Sequence, residues 1–384
     1  MIQRSLFSCT HQDSGSKARA GDIRLPHGIV QTPAFMPVGT NATVKAVPPE
    51  DLEAMGFKLI LANTYHLYLR PGHELVKSAG GLHGFSGWNR NFLTDSGGFQ
   101  IFSLSNMRKI REEGVTFRSH IDGSSHFLTP EKVVEIQTAF NSDIQMQLDI
   151  CSAYGEDEKA ALKAMTITHD WAKRAKKAWN EAREREDYQG KLFGIVQGNF
   201  FPALRTESAK FIGDLDFPGI AIGGLSVGEP AEVFADLLAH TASLLPEDKP
   251  RYLMGIGTPD YILEAVRNGI DIFDCVYPTR TARHGLLFTS QGEIGIKKAI
   301  YEKDFSPIDP ECSCPVCLNH SKAYLRHLFR NQEILYAILA TRHNLHFLGD
   351  FVRKIRLAIF EDKFEEFRKS FLRGYALRTP SKAG

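Results

Sequence analysis

Short, unbroken apolar runs recur along the chain at 34–38, 58–62, 91–94, 143–148, 192–196, 219–222, 252–255 and 270–273. Each is followed by glycine, proline or polar residues. Continuous rather than alternating hydrophobicity suits strands that are covered on both faces. Helical periodicity fills several of the gaps, at 130–140, 157–185, 231–245 and 258–268. The first of these follows Thr129, a good N-cap, and begins with Pro130. Eight strands alternating with helices predict an α/β fold, a parallel (β/α)8 TIM barrel. An open doubly wound sheet is the competing architecture, but no glycine-rich dinucleotide turn follows the first strand. Residues 1–290 are expected to form the barrel and residues 291–384 a C-terminal subdomain packed on it. Residues 379–384 read as a frayed tail.

Composition narrows the function. A net charge of +1 removes any global polycation argument, so a nucleic-acid site must be a local patch. No apolar run approaches the roughly 20 residues of a membrane span. The N-terminus lacks the pattern of a secretory signal, and Cys9, Cys151 and Cys275 stand singly. That usage predicts a reduced, cytoplasmic protein.

The other cysteines are clustered as Cys312-Ser-Cys314-Pro-Val-Cys317. Three thiolates so close suit a soft metal ion, and a closed structural zinc site needs a fourth ligand. His320, His327, His343 and His346 are the candidates. His343 is favoured, because the amphipathic stretch 323–340 can return it to the cluster as a helix.

In a barrel, chemistry gathers at the C-terminal ends of the strands. There the sequence sets Asp95-Ser-Gly-Gly-Phe-Gln100, Asp149, Gln197-Gly, Gly223-Gly224-Leu225-Ser226 and Asp274-Cys275. Crowded carboxylates drive their pKa values apart, so one serves as acid while another stays ionised. Two of them suit displacement at a sugar carbon. Asp149 and Gln197 are suited to the edge of a purine, and Phe99 and Met254 to its faces.

Thr94-Asp-Ser-Gly-Gly-Phe-Gln100, Ala221-Ile-Gly-Gly-Leu-Ser-Val-Gly-Glu229, Tyr252-Leu-Met-Gly-Ile-Gly257 and Phe273-Asp-Cys-Val-Tyr-Pro-Thr-Arg280, with the Cys312, Cys314, Cys317 and His343 set, resemble the queuine tRNA-ribosyltransferases, or tRNA-guanine transglycosylases. The likeness runs over nearly the whole chain. It implies a zinc-containing barrel, usually a homodimer. The family exchanges guanine at the wobble position of tRNAs with a G-U-N anticodon (the Asp, Asn, His and Tyr acceptors) for a 7-substituted 7-deazaguanine. By the resemblance Asp274 is the nucleophile and Asp95 the general acid/base, with Asn63 and Gln100 beside it. Asp149, Gln197 and the Gly224 backbone read the base edge, and the Leu225 carbonyl faces the 7-substituent. Phe99 and Met254 sandwich the base. Arg280 and Arg283 meet the flanking uridines, and Lys297 and Lys298 the phosphates. No nucleotide triphosphate or redox cofactor is implied.

Two positions depart from the pattern. Ile150 stands where bacterial members carry an acidic residue, although Cys151 and Val227 keep bacterial character; Tyr277 is also unusual. Loss of that carboxylate is expected to relax selection for 7-aminomethyl-7-deazaguanine, so that either this base or queuine can enter, and Ile150→Glu to shift preference toward the aminomethyl base. A non-catalytic, tRNA-binding subunit is the alternative reading. Retention of both Asp95 and Asp274 speaks against it.

Overall fold

The computed structural model describes residues 5–104 and 108–375; the expected tail at 379–384 lies outside them. Eight parallel strands form the central sheet: β1 (Ala34–Pro37), β2 (Leu59–Ala62), β3 (Asn91–Thr94), β4 (Ile144–Met146), β5 (Lys191–Val196), β6 (Gly219–Ile222), β7 (Arg251–Leu253) and β8 (Ile272–Cys275). Neighbours follow chain order, and β8 pairs back on β1. A single bridge, Val38 to Leu61, joins β1 to β2 and completes the ring. The expected barrel is therefore present.

Two apolar layers hold it. Met36, Leu61, Leu93, Met146, Ile195 and Tyr252 point inward and pack together. The other faces of the strands meet the helices in a larger shell that includes Phe35, Phe92, Leu192 and Phe273. An antiparallel sheet, Phe7–Gln12, Arg19–Leu25 and Gly28–Thr32, plugs the N-terminal end, adding Phe7, Ile23 and Val30 to the inner layer. Arg19 fixes the plug to the barrel, donating Nε to Asp271 Oδ1 (3.0 Å) and Nη2 to Oδ2 (2.6 Å).

Several strand boundaries differ from the sequence reading, for identifiable reasons. The last strand was expected at 270–273 but runs Ile272–Cys275, so Asp274 lies within it and not after it. Asp271 is instead held at the plug, where its carboxylate also accepts from the Arg251 N–H at 2.6 Å. The seventh strand stops at Leu253. Gly255 adopts a left-handed φ of 79°, which turns its N–H onto Asp274 Oδ1 at 3.0 Å.

After β8 comes a short helix, Tyr277–Arg283, a hairpin of Leu286–Thr289 with Gly292–Gly295, and then the cysteine cluster. The stretch 323–340 is not one helix. It breaks between Lys322–Arg330 and Ile334–Phe360, with Gln332 at a positive φ of 56°. The break lets Leu325 and Leu328 share one small core with Tyr336, Leu339, Cys314 and Cys317. Farther along the second helix, Leu345, Leu348, Val352 and Ile355 enter the shell of the barrel. None of the described helices is long and apolar enough to cross a membrane.

Candidate active site and metal centre

A cavity of about 390 Å³ opens at the C-terminal ends of the strands. All ten residues expected to act on the base line it: Asn63, Asp95, Phe99, Gln100, Asp149, Gln197, Gly224, Leu225, Met254 and Asp274. Seven different strands, β2 to β8, deliver them, which is why no local sequence window contains the site.

Asp95, just past β3, is buried. Asn63 Nδ2 donates to its Oδ2 at 2.5 Å, and the Thr64 and Gly97 N–H groups donate to Oδ1 at 2.8 and 3.2 Å. Burial pushes the carboxyl up to about 6, against the opposing pull of these donors and of the Gln100 side chain. Asp149, past β4, is pushed up to about 6 by the same cause. It accepts from Gln197 Nε2 at 2.7 Å and from Ser96 Oγ at 3.3 Å. Asp274 is also raised by burial, while the Gly255 N–H and the Tyr252 hydroxyl favour its charge. The three carboxyls share one cavity with distinct partners, but burial raises all three, Asp95 and Asp149 to the same value of about 6, so the expected mutual splitting of their pKa values is not what distinguishes them.

Glycine is needed at two close approaches. A Cβ at Gly98 would lie 2.9 Å from the Asp149 carbonyl oxygen, and one at Gly224 would lie 2.6 Å from Gln197 Oε1. Gly224 also has a positive φ of 68°. Beyond it, the Glu229 carboxylate accepts from the N–H groups of Ser226 and Val227. Phe99 is 56% exposed at the rim, free to cover a planar ligand.

Other lining residues were not expected, among them His66, Ser96, Cys151 and Tyr252. Tyr252 stood in a quoted motif without a role. Its inward position on β7 was the available signal. Ile150 does not line the cavity. Its side chain is buried in the helix-facing shell, and its N–H donates to Thr168 Oγ1 at 3.0 Å. Alternation along the chain aims Asp149 and Cys151 at the cavity and residue 150 away from it, so a side chain at this position does not face the 7-substituent directly.

Arg280 and Arg283 lie on Tyr277–Arg283, the helix that directly follows β8, and Arg283 Nη1 donates to the Thr279 carbonyl at 2.6 Å. Lys297 and Lys298 are exposed after the hairpin and do not line the cavity. Tyr277 ties that helix to the hairpin, its hydroxyl 3.2 Å from Glu293 Oε2.

Cys312, Cys314, Cys317 and His343 converge. His343 Nδ1 lies 3.4 Å from the sulfurs of Cys314 and Cys317 and 3.9 Å from that of Cys312. Ideal tetrahedral zinc with ordinary bond lengths would separate S and N by about 3.6 Å. His343 Nε2 is engaged with the Phe288 carbonyl at 2.7 Å, which leaves Nδ1 as the ligand atom. His343 sits within the helix Ile334–Phe360 and not beyond a helix ending at 340. The four groups fit a soft metal ion.

The family model for queuine tRNA-ribosyltransferase matches residues 13–377. A queuine tRNA-ribosyltransferase of Treponema denticola is 58% identical over 98% of this chain and 99% of that protein. Proteins of the same description from Caldanaerobacter subterraneus subsp. tengcongensis and Borrelia hermsii are 56% and 53% identical, each over 96% of this chain and at least 97% of their own length.

Proposed function

Because the chain belongs to the queuine tRNA-ribosyltransferase family, we propose that its cavity exchanges guanine at the wobble position of G-U-N tRNAs for a 7-substituted 7-deazaguanine. The enzyme is a pentosyltransferase. The observation that carries the assignment of roles is the meeting of Asp95, Asp149 and Asp274 with Gln197 in one cavity.

The Asp274 carboxylate attacks C1′ of the target nucleotide. The C1′–N9 bond breaks, and the departing guanine takes a proton from Asp95. The covalent ribosyl ester keeps the tRNA bound while the bases exchange. The incoming base gives its N9 proton to Asp95 and attacks C1′, which releases Asp274. Two displacements retain the β-configuration. Burial keeps Asp95 near the protonation equilibrium that a group acting first as acid and then as base needs. Asp149 and Gln197 bind the purine edge, with the Gly224 N–H on its carbonyl oxygen; the Leu225 carbonyl faces the 7-substituent. Phe99 and Met254 enclose the rings.

Zinc is the proposed occupant of the Cys312, Cys314, Cys317 and His343 set. All four positions are closed by protein ligands, so its contribution is structural. Arg280, Arg283, Lys297 and Lys298 are proposed tRNA contacts, which makes binding salt-sensitive. A homodimer is proposed from the family membership.

Trapping tests the reading. Wild type incubated with tRNA and a guanine analogue that cannot complete exchange should yield a denaturation-resistant RNA adduct, and Asp274→Asn should yield none. An undiminished adduct in that variant would remove Asp274 as nucleophile, and no adduct in wild type would favour the non-catalytic, tRNA-binding alternative.

A further inference from the structure

Beneath the cavity floor lies a cation that the reaction as described does not use. Arg205, on the helix Pro202–Asp214, is fully buried. Its Nε donates to the Asn199 carbonyl at 2.7 Å. Its Nη2 donates to two successive carbonyls, Gly223 at 3.1 Å and Gly224 at 3.2 Å. Among the described residues no hydrogen bond joins it to a carboxylate, and Nη1 has no acceptor. Burial pushes the guanidinium down to about 10, so it stays charged at neutral pH; Cys151 and Glu229 are the groups that favour its charge. A buried guanidinium without a bonded counter-ion is expensive for a fold. A simple prop for a turn would not need one.

The Gly223 carbonyl and the Gly224 N–H belong to one peptide unit. A cation on the oxygen withdraws electron density through the amide and strengthens the N–H as a donor. That N–H lies beside the Cys151 thiol, which lines the same cavity; burial pushes this thiol up to about 12, against the smaller opposing pull of the Gly224 N–H.

We propose that Arg205 is a positioning residue for base exchange, polarising the Gly223–Gly224 peptide so that the Gly224 N–H grips the carbonyl oxygen of the purine, most strongly as the base departs. The inference rests on the transglycosylase reading. When C1′–N9 breaks, its electron pair stays with the base and spreads to the 6-oxygen until the Asp95 proton arrives at N9. A preorganised donor at that oxygen acts where charge develops.

The test crosses protein variants with a base that lacks the oxygen. Exchange of labelled guanine into tRNA is measured for wild type, Arg205→Met and Arg205→Lys, with 2-aminopurine as competing base. 2-Aminopurine also lacks the N1 proton, so proteins are compared on one base at a time. Arg205→Met should raise KM for guanine about tenfold and lower kcat about tenfold again, as expected for a weakened oxyanion donor. The Ki of 2-aminopurine should change less than about threefold. Arg205→Lys, which keeps the charge but not the paired bonds, should recover part of both guanine effects. Equal losses on the two bases would reduce Arg205 to a loop support and overturn the inference, as would unchanged guanine kinetics. If Arg205→Met fails to fold, the Arg205→Lys comparison decides by the same criterion. Failure of wild type to exchange guanine at all would overturn the transglycosylase reading and this inference together.

Discussion

The Tyr252 hydroxyl donates to Asp274 Oδ1 at 2.6 Å from inside the barrel. The same oxygen accepts from the Gly255 N–H. Both donors sit on one carboxylate oxygen, so Oδ2 is left as the attacking atom. A hydrogen bond to a charged group contributes about 1.5–3 kcal/mol. Tyr252→Phe should therefore slow adduct formation where its loss leaves Asp274 protonated, while the adduct still forms at higher pH. Because the hydroxyl favours the ionised carboxylate, its loss should also move the acidic limb of the rate profile to higher pH. Single-turnover adduct formation across pH checks both; an unmoved limb would deny Tyr252 this influence.

Asn63 bears on the opposite limb. Its Nδ2 donates to Asp95 and favours the charged form, so its removal raises the pKa of Asp95 above the present value of about 6. Guanine departure needs Asp95 protonated, and its rate should fall as pH rises through that pKa. Asn63→Ala should shift this falling limb upward by about one unit, the size expected for one charge-assisted bond. A pre-steady-state profile of guanine release measures it, and a downward shift would contradict the assignment of Asp95 as acid.

The eight-strand frame and the residues at its mouth were legible because buried parallel strands read as continuous apolar runs and barrel chemistry sits at strand ends. Tertiary demands set what was not legible. Asp274 reads as a residue after a strand, yet it pairs with Met36 inside β8. Arg205 on a helix reads as solvated charge, and nothing nearby in sequence marks it as buried under Gly223 and Gly224. The antiparallel strands Arg108–Ile110, Val115–Arg118 and Ser125–Leu128 are short and mostly polar on one face, so they carried no strand signal.

Asp95 also links function to stability. Its folded pKa of about 6 lies above the unfolded 3.8. The folded state therefore holds extra protons, and the associated stability is fully present below the unfolded pKa and lost as pH rises through about 6. Asp95→Asn carries no charge to desolvate, and the Asn63 amide can flip to accept from it. The variant should be inactive yet gain thermal stability over wild type at pH values near 8, with a smaller gain near pH 5. Calorimetry at both pH values tests this; a gain independent of pH would place the effect elsewhere.

Metal removal should act on tRNA binding before it acts on the acid–base groups. Asn344, next to His343, donates Nδ2 to the Pro278 carbonyl at 2.9 Å, and the Tyr336 hydroxyl donates to that of Ala282 at 3.0 Å. These bonds anchor Tyr277–Arg283, the helix carrying Arg280 and Arg283, to the helix of the metal ligand. His343→Ala should lower metal content below one per chain, lower the melting temperature and weaken tRNA binding at least about tenfold. Metal analysis with salt-dependent tRNA titration checks the order of effects. Wild-type tRNA affinity in a metal-free, folded variant would separate the centre from the RNA surface.

Ile150→Glu distinguishes the two accounts of base choice. If residue 150 met the incoming base, a carboxylate there would draw the cationic 7-aminomethyl-7-deazaguanine. Ile150 instead lies 6% exposed in the apolar shell, between cavity residues Asp149 and Cys151. A glutamate would have to enter that shell protonated or displace its packing, at a cost of several kcal/mol. The expected outcome is a large fall in melting temperature and a lower rate with both bases, with the ratio of kcat/KM for the aminomethyl base to that for queuine within about threefold of wild type. A ratio raised by an order of magnitude in a stable variant would restore direct contact at this position. Selection between the bases is then to be sought among side chains that do line the cavity near Leu225, of which Val227 and Cys151 are the first to exchange.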